Sequence, residues 1–236
     1  MFSGFPAQTE QFLMELRFHN DPAFFHAEHD RYIESVQKPF YAFIDEMMPT
    51  LLSIDSSMEP RPNKVLARIH RDTRFTRDKS PYRDHLWIFF HRAAQDKHGS
   101  MGFWFEYGVE RLAWGLGSWG ENRPVMDRMR REFAAYPDRY LKILRACPFR
   151  QRNLVLVSDF FKRMEVPPSV PEELKPWYLA KSIDIMQKSP DIRACASERI
   201  FTWVRDDFLA MAPVYQMVMG TYDALAKEEQ ERQQLR

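Results

Sequence analysis

Apolar side chains recur at helical spacing through the first 56 residues of the chain. Asp21 and Pro22 form a strong helix start, because a carboxylate can cap a helix and proline fits its first position. Residues 40–51 then place their apolar side chains on one helical face. The helical pattern returns after residue 120 and continues towards the C-terminus, with a restart predicted at Pro213. These patterns predict helices at both ends of the chain.

Between residues 64 and 117 the pattern changes to short apolar runs, which are typical of strands. The strand candidates are residues 64–71, 86–91, 101–107 and 111–117. Short turns separate the later runs, which predicts an antiparallel meander rather than parallel strands joined by helices. The sequence therefore predicts an α+β fold, an antiparallel β-sheet of about four or more strands flanked by N- and C-terminal helices. No repeat or linker interrupts the pattern, so we expect residues 1–236 to form a single domain.

The composition is that of an ordinary globular protein. The 236 residues are 44% hydrophobic and 28% charged, which excludes the disordered, collagen and coiled-coil classes. The net charge of +1 hides an asymmetry: residues 1–60 hold 3 basic and 10 acidic side chains, and residues 61–152 hold 20 basic and 10 acidic ones. Of those 20 basic residues 16 are arginines, whose planar fork suits carboxylate or phosphate. The block is therefore either an anion site or the partner of acidic helices.

Neither the cysteines nor the apolar stretches indicate export or a membrane. Cys147 and Cys195 form no CxxC pair, zinc-binding spacing or disulfide framework, which favours the reducing cytoplasm. The N-terminal residues lack a basic segment followed by an apolar one, so we expect no secretory signal. The longest uncharged stretch, residues 208–222, is 15 residues long and contains a proline, so it is too short to span a bilayer. We expect a cytoplasmic protein without a membrane partner.

No metal or cofactor is predicted. His26 and His29 have a spacing that two metal ligands on a helix can use, but no HExxH or comparable motif accompanies them. Gly115 and Gly117 do not open a helix after a strand, so they are not a dinucleotide-binding fingerprint. No Walker or GxSxG motif occurs. The sequence leaves open whether the protein is an enzyme and assigns no oligomeric state.

Residues 68–85 hold most of the chain's candidate chemistry. These 18 positions contain six basic residues, three aspartates and two histidines, and they lie between the first two strand candidates. The connection is too long for a simple hairpin turn. Long charged loops are more often functional than decorative. This stretch is therefore the candidate site of the protein.

The same stretch resembles the signature of a widespread bacterial and fungal family of unknown function, R-x-x-R-D-x-R-F-x-x-(D/N)-K-x-x-Y. All eight specified positions match: Arg68, Arg71, Asp72, Arg74, Phe75, Asp78, Lys79 and Tyr82. The resemblance extends over most of the chain, through residues 20–25, the glycine-rich residues 102–119, and residues 161–163 and 179–181. It implies kinship in fold and a location for the site, while the family has no established activity to carry over.

The excess positive charge of this stretch predicts a pocket for an anionic small molecule. The candidate ligand-binding residues are Arg68, Arg71, Asp72, Arg74, Phe75, Asp78, Lys79, Tyr82 and His85. We expect the arginines and the lysine to converge on a phosphate or carboxylate, and the tyrosine and histidine to donate hydrogen bonds. Phe75 would form a stacking wall with Trp104 or Trp114.

Two other interpretations stay open. The aspartates of the stretch are natural partners of its arginines, so the cluster is alternatively a structural ion-pair network in a non-enzymatic interaction module. Arginines interleaved with aromatic residues also suit nucleic acid, through backbone contact and base stacking. Nucleic acid is the least favoured partner, because the whole-chain pI is about 7.8 and aspartates dilute the arginines.

Overall fold

The computed structural model of the protein describes residues 2–74, 77–94, 99–188 and 190–234. Its helices are α1 (Ala7–Phe18), α2 (Pro22–Ala27), α3 (His29–Tyr32), α4 (Lys38–Ile54), α5 (Pro62–Val65), α6 (Arg123–Ala135), α7 (Pro137–Ala146), α8 (Lys175–Leu179) and α9 (Arg199–Gln234). A π-helical turn covers Ile33–Gln37, and 3-10 turns cover Glu172–Leu174 and Ile192–Ala196. The strands are β1 (His85–Phe90), β2 (Met101–Gly108), β3 (Arg111–Ser118), β4 (Leu154–Leu156) and β5 (Ile185–Gln187).

Local chemistry explains where α2 begins. The Asp21 carboxylate accepts hydrogen bonds from the backbone N–H groups of Ala23 and Phe24, at 2.9 and 3.0 Å. Pro22 occupies the first helical position, where its missing N–H costs nothing. The structure thus confirms the predicted helix start at Asp21.

The long helix α9 continues through Pro213, so the restart predicted there is wrong. A proline inside a helix loses one backbone hydrogen bond and costs about 3 kcal/mol or more. Val214 and Tyr215, the next two residues, are buried in the core. Burial of these side chains offsets the cost of the proline and keeps the helix continuous.

The five strands form an antiparallel sheet in the order β1-β2-β3-β5-β4. This sheet, with helices before and after it in the chain, confirms the predicted α+β fold and three of the predicted strands. β4 and β5 were not predicted, because three residues are too few to show a periodic pattern. In the β3–β5 pair Gly115 lies opposite Met186. A Cβ atom at Gly115 would lie 2.0 Å from the carbonyl oxygen of Ile185, so only glycine permits this approach.

The strand predicted at residues 64–71 is wrong. Pro62 starts the helical turn α5, which takes up the first two residues of the predicted strand. Isolated bridges then pair Leu66 with Ile88 and His70 with Tyr82, so the remainder is extended but not part of a named strand. The helix-starting proline just before residue 64 therefore determines the structure of residues 64 and 65, although their alternating pattern is typical of a strand.

The chain forms two compact units, each assembled from three separate stretches. The first unit comprises Met1–Ala93, Trp104–Trp114 and Ser189–Asp206, and the second comprises Ala94–Phe103, Gly115–Lys188 and Asp207–Arg236. Each unit has aromatic residues in its core. In the first, the rings of Phe43 and Phe105 stack at 4.6 Å, and in the second, Phe103 packs 4.9 Å from Phe208. The single domain expected from the sequence stays a prediction.

Candidate functional site

The candidate stretch is organised by a short two-stranded ribbon, formed by residues 66–71 and 81–88, which we name the signature ribbon. Three backbone N–H groups hold it by donating to carbonyl oxygens at 2.8–2.9 Å: Ala67 to Trp87, Arg83 to Ile69 and Arg71 to Pro81. Because extended backbone points successive side chains to opposite faces, the ribbon presents two different surfaces. The described residues 72–74 and 77–80 lie between the two strands of the ribbon in sequence, and we name them the signature loop.

Charged residues of the signature loop make contacts within the loop itself. Asp72 accepts hydrogen bonds from Nε and Nη2 of Arg74, at 3.0 and 2.7 Å, and from its backbone N–H. The Arg74 guanidinium accordingly lowers the pKa of the Asp72 carboxyl to about 2. The Lys79 ammonium donates to the carbonyl oxygen of Thr73 at 2.7 Å. These contacts are the kind expected of a structural network rather than of a binding site.

A pocket of about 570 Å³ opens beside one face of the signature ribbon. We name it the arginine pocket, because its lining includes Arg17, Arg71, Arg83 and Arg111, together with Asp78 and Asp84. The other described lining residues are Asn20, Ser80, His85 and Trp87. With four arginines against two aspartates, the described lining carries an excess of positive charge. The end of α1, the ribbon and the start of β3 all contribute to it.

Arg83 is held by backbone oxygens and an aromatic ring. Its Nη1 donates to the carbonyl oxygen of Arg68 at 2.8 Å and to that of His70, and its Cζ atom lies 4.6 Å from the centre of the Trp87 ring. No carboxylate among the described residues forms an ion pair with it. Burial, followed by the charge of Arg71, lowers the pKa of the Arg83 guanidinium. Arg83 is thus a positioned positive charge without a carboxylate in ion-pair contact, and the charge of Asp72 opposes the lowering of its pKa only in part.

Arg71 lies on the same side of the ribbon and has one carboxylate partner. Its side chain is 24% exposed, and its Nη1 donates to the Asp78 carboxylate. Its Nε is buried and has no hydrogen-bond acceptor among the described residues. Asp78 is therefore the carboxylate paired with Arg71, whereas the carboxylate whose charge acts on Arg83 is that of Asp72.

A second part of the pocket wall is a chain of charged groups that includes Arg17, Asp84, His85 and Arg111. Arg17 Nε lies 3.2 Å from Asp84 Oδ2, and Asp84 Oδ1 lies 2.8 Å from His85 Nδ1. His85 Nε2 lies 3.5 Å from Glu106 Oε1, which Arg111 Nη1 also contacts at 3.2 Å. Each ring nitrogen of the imidazole therefore faces a carboxylate oxygen. Unlike Arg83, the two arginines of this wall are both paired with carboxylates.

The Asp84 carboxylate is kept ionised by its neighbours. Burial opposes its ionisation, but the hydrogen bond with His85 and the charges of His85 and Arg17 outweigh burial and lower its pKa. Gly108 at the end of β2 makes room for this pair, since a Cβ atom there would lie 2.4 Å from the Cβ atom of His85. The glycine therefore sets how closely the wall approaches β2.

Asn20 fastens the N-terminal segment to the signature ribbon. Its Nδ2 donates to the carbonyl oxygen of Tyr82 at 3.0 Å, and its Oδ1 accepts from the Tyr82 N–H at 2.9 Å. The ring of Phe25 stacks on the Tyr82 ring with 4.3 Å between centres. Two stretches that carry the family resemblance, residues 20–25 and 68–82, thus meet here. Their matching polar and aromatic residues fix the position of the ribbon.

The structure brings three of the predicted site residues into the arginine pocket, namely Arg71, Asp78 and His85. Arg68 lines a separate hollow with His70 instead. The described lining does not include the predicted residues Asp72, Arg74, Lys79 and Tyr82. Tyr82 is buried, whereas the other three belong to the signature loop. The four basic side chains that were expected to converge therefore lie in three places. Arg71 lines the arginine pocket and Arg68 the separate hollow, while Arg74 and Lys79 belong to the signature loop.

Of the predicted stacking wall, the structure describes Trp114, whereas Phe75 lies outside the described residues. Trp114 is fully buried and packs edge-on against Trp203, 5.1 Å between ring centres, so it is a core residue. The aromatic ring in the pocket lining is Trp87, which sequence reasoning did not select.

Several residues that line the arginine pocket are not among the site residues predicted from the sequence, for different reasons. Arg83 and Trp87 lie two positions on either side of His85, so the two-residue period of a strand could have found them. Arg17 and Arg111 are distant in sequence and lie in no motif, so no sequence signal pointed to them. Asn20 was noted only as part of the resemblance.

Outside the pocket, the described residues contain no group of three or more His, Cys, Asp or Glu able to hold a metal ion. Cys147 and Cys195 are both buried. Burial raises the pKa of the Cys147 thiol to about 11 and that of the Cys195 thiol to about 12, so neither is a reactive thiolate at neutral pH. Among the described helices, none has the length and apolar character needed to cross a membrane.

Comparison with known proteins gives a family but no characterised relative. No curated protein and no solved structure is significantly similar to the chain. The sequence model of the conserved hypothetical protein family DUF2461 matches residues 8–217. This range includes the signature at residues 68–82 and the N-terminal residues 20–25. This match confirms the resemblance seen in the signature, and the chain belongs to the DUF2461 family.

Proposed function

We propose that the arginine pocket binds a small anionic molecule through a phosphate or carboxylate group. Three of its four arginines, Arg17, Arg71 and Arg111, are paired with carboxylates, which leaves the Arg83 guanidinium as a positive charge that a bound anion would balance. The arginines line a concave pocket rather than a flat face, which supports a small ligand over a protein partner. The lining is mainly polar, with Trp87 as its aromatic member, which favours a hydrophilic ligand.

The observation that carries this proposal is the charge of Arg83. The backbone carbonyls of Arg68 and His70 and the Trp87 ring hold its guanidinium in place, and no described carboxylate pairs with it. A half-buried cation without a counter-ion is costly unless an anion joins it. Its Nη1 is engaged by the backbone, which leaves the remaining N–H groups of a rigid fork for a ligand.

Arg71 and His85 are the natural supporting groups of the same site. Arg71 is bonded to one carboxylate, Asp78, and its guanidinium lies close enough to Arg83 for its charge to lower the Arg83 pKa. His85 lies in the same pocket, between the carboxylates of Asp84 and Glu106. We propose that the two guanidinium groups bind the anion and that His85 orients it.

The proposal extends to the surroundings of the protein. We propose a cytoplasmic location, which the separate, buried and free cysteines support. Nucleic acid remains a disfavoured partner, because the carboxylates paired with Arg17, Arg71 and Arg111 weaken any continuous basic surface.

The proposal is tested by titrating the protein with inorganic phosphate and with succinate in a calorimeter, at low salt. Binding of one of these anions is expected, and Arg83→Gln should weaken it about tenfold or more, because a charge-assisted hydrogen bond is lost. Arg71→Gln should weaken binding as well. It provides a second test, since Arg71 does not hold the ribbon backbone as Arg83 does.

The matched control is Arg61→Gln. Arg61 is 63% exposed, pairs with Glu59 and lies outside the described pocket lining, so its variant should bind like the wild type. The proposal fails if neither anion binds the wild type, or if the folded Arg71→Gln and Arg83→Gln proteins both bind as tightly as the wild type. Circular dichroism establishes that each variant is folded.

A further inference from the structure

A second cavity, of about 250 Å³, lies in the same compact unit and is not used by the proposed function. We name it the aromatic hollow. Its lining includes Phe25, Tyr32, Gln37, Tyr41, Arg68 and His70. The described linings of the hollow and of the arginine pocket have no residue in common. The hollow is therefore a separate cavity, not an extension of the pocket.

Aromatic rings form the floor of the hollow. The Phe25 ring stacks on Tyr82 at 4.3 Å, with Tyr32 at 5.2 Å and His70 at 5.7 Å from it. Phe25 and Tyr32 are buried. Burial raises the pKa of the Tyr32 hydroxyl, so the floor carries no negative charge at neutral pH. A flat ligand ring has several aromatic partners in this cluster.

The polar rim of the hollow is uncommitted. Within the described part of the chain, the side chains of Gln37, Tyr41 and Arg68 have no hydrogen-bond or ion-pair partner. This differs from the surface arginines Arg61 and Arg193, which both form pairs with carboxylates. The rim therefore offers a guanidinium, an amide and a hydroxyl to a ligand.

The helical segment that supplies part of the rim has an unusual geometry. A π-helical turn, Ile33–Gln37, lies between α3 and α4. Such turns are rare and occur often at functional sites, because they displace side chains from the regular helical pattern. Ile33, Gln37 and Tyr41 follow one another at spacings of four residues and all line the hollow. The π turn is thus an independent sign that this surface is built for contact.

We infer that the aromatic hollow is a second binding site, for a small aromatic carboxylate with a single ring. The ring would lie on the aromatic floor, and the carboxylate would take two parallel hydrogen bonds from the Arg68 guanidinium. Gln37 and Tyr41 would bind polar groups on the ring. The cavity is smaller than the roughly 300–1,000 Å³ typical of drug-sized ligands, which favours one ring over two.

The test uses benzoate and nicotinate as probes, with acetate and benzamide as matched compounds that lack the ring or the charge. The calorimetric titrations use the Arg71→Gln protein beside the wild type, because the arginine pocket of this variant should bind carboxylates weakly. In Arg71→Gln, benzoate or nicotinate should bind, while acetate and benzamide should bind at least about tenfold more weakly. Arg68→Gln should weaken the aromatic acid about tenfold or more, because its charge-assisted bonds are lost. The exposed Arg68 side chain has no described partner, so this variant should fold normally.

Two control variants separate this site from the arginine pocket. Arg71→Gln weakens carboxylate binding in the arginine pocket and should retain benzoate binding in the hollow, and Arg61→Gln lies outside both cavities. The inference is overturned if neither aromatic acid binds, if acetate binds Arg71→Gln as tightly as benzoate does, or if Arg68→Gln binds benzoate like the wild type. It is also overturned if Arg71→Gln, rather than Arg68→Gln, abolishes benzoate binding. Phosphate titrations of the same variants report on the arginine pocket independently.

Discussion

Arg83 in the first compact unit and Arg130 in the second have similar neighbours but different charge balance. Arg130 Nε donates to the carbonyl oxygen of Tyr178 at 2.9 Å, and its Nη2 donates to that of Ala180 at 2.6 Å. Its Nη1 also pairs with Asp127 at 2.7 Å, and the residue is only 6% exposed. Arg83 is likewise held by two carbonyl oxygens, but it lines a pocket and has no described carboxylate partner.

The aromatic contact recurs in both places. The Cζ atom of Arg130 lies 5.1 Å from the centre of the Phe161 ring, and that of Arg83 lies 4.6 Å from the Trp87 ring. Carbonyl oxygens and a ring therefore do not distinguish a structural arginine from a binding one. The distinguishing feature is the counter-ion, since a neutralised and buried guanidinium stabilises the fold, whereas an unpaired one beside a pocket can accept an anion.

The largest expected effect comes from removing the structural arginine. Arg130→Met should lower the free energy of unfolding by about 3 kcal/mol, because two carbonyl oxygens lose their donor. Urea unfolding followed by circular dichroism measures this change. Arg131→Met, at an exposed neighbouring arginine, is the control and should change stability by less than about 0.5 kcal/mol. Equal losses of unfolding free energy in the two variants would contradict the structural role that we assign to Arg130. Phosphate binding should persist in a folded Arg130→Met protein.

A smaller effect, on phosphate affinity, is expected from removing the charge of Asp78, the carboxylate that competes with the ligand for Arg71. Asp78→Asn keeps an oxygen for the loop backbone but removes the charge beside Arg71, so the pocket becomes more positive. Phosphate should then bind about threefold more tightly, in line with the small energies of exposed ion pairs. Calorimetry at constant ionic strength measures the ratio. Weaker phosphate binding by Asp78→Asn would contradict the view that Asp78 competes with the ligand.

The smallest effect concerns the response of the pocket wall to acid. Because the folded-state pKa of Asp84 lies below its ordinary value of 3.8, its contribution to stability is present above that value and is lost as the pH falls through the folded pKa. The melting temperature of the wild type should therefore fall more between about pH 6 and pH 3 than that of Asp84→Asn. Asp30→Asn, at a fully exposed aspartate, should keep the wild-type pH dependence. Identical profiles for Asp84→Asn and the wild type would show that this ion pair adds nothing.

The sequence predicted the fold class because the elements that define it are long enough to be periodic. β1, β2 and β3 span six to eight residues and carry clear apolar runs. β4 and β5 span three residues each, and they exist because β5 pairs with β3 and β4, which is a tertiary effect. Both wrong predictions involve proline. Pro62 starts a helical turn that overlaps the strand predicted at residues 64–71, and Pro213 does not interrupt α9, because the residues after it are packed in the core.

The candidate site could be predicted only in part, because charge density along a chain does not show which groups pair. Arg74 and Asp72 bind each other two residues apart, so a strongly charged loop need not be a binding loop. Arg83 lay within the predicted stretch but outside the family signature, and its missing counter-ion is visible only in three dimensions. Arg17 and Arg111 reach the pocket from α1 and β3 through folding alone.

The contact between Asn20 and Tyr82 joins positions 62 residues apart in the chain. Closing so long a loop costs entropy before the hydrogen bonds and ring stacking repay it, whereas the helices on either side form from local contacts. Refolding should therefore restore helical circular dichroism before it restores the arginine pocket. The anion binding that we propose for this pocket would then appear at the completion of folding in this unit, rather than at its beginning.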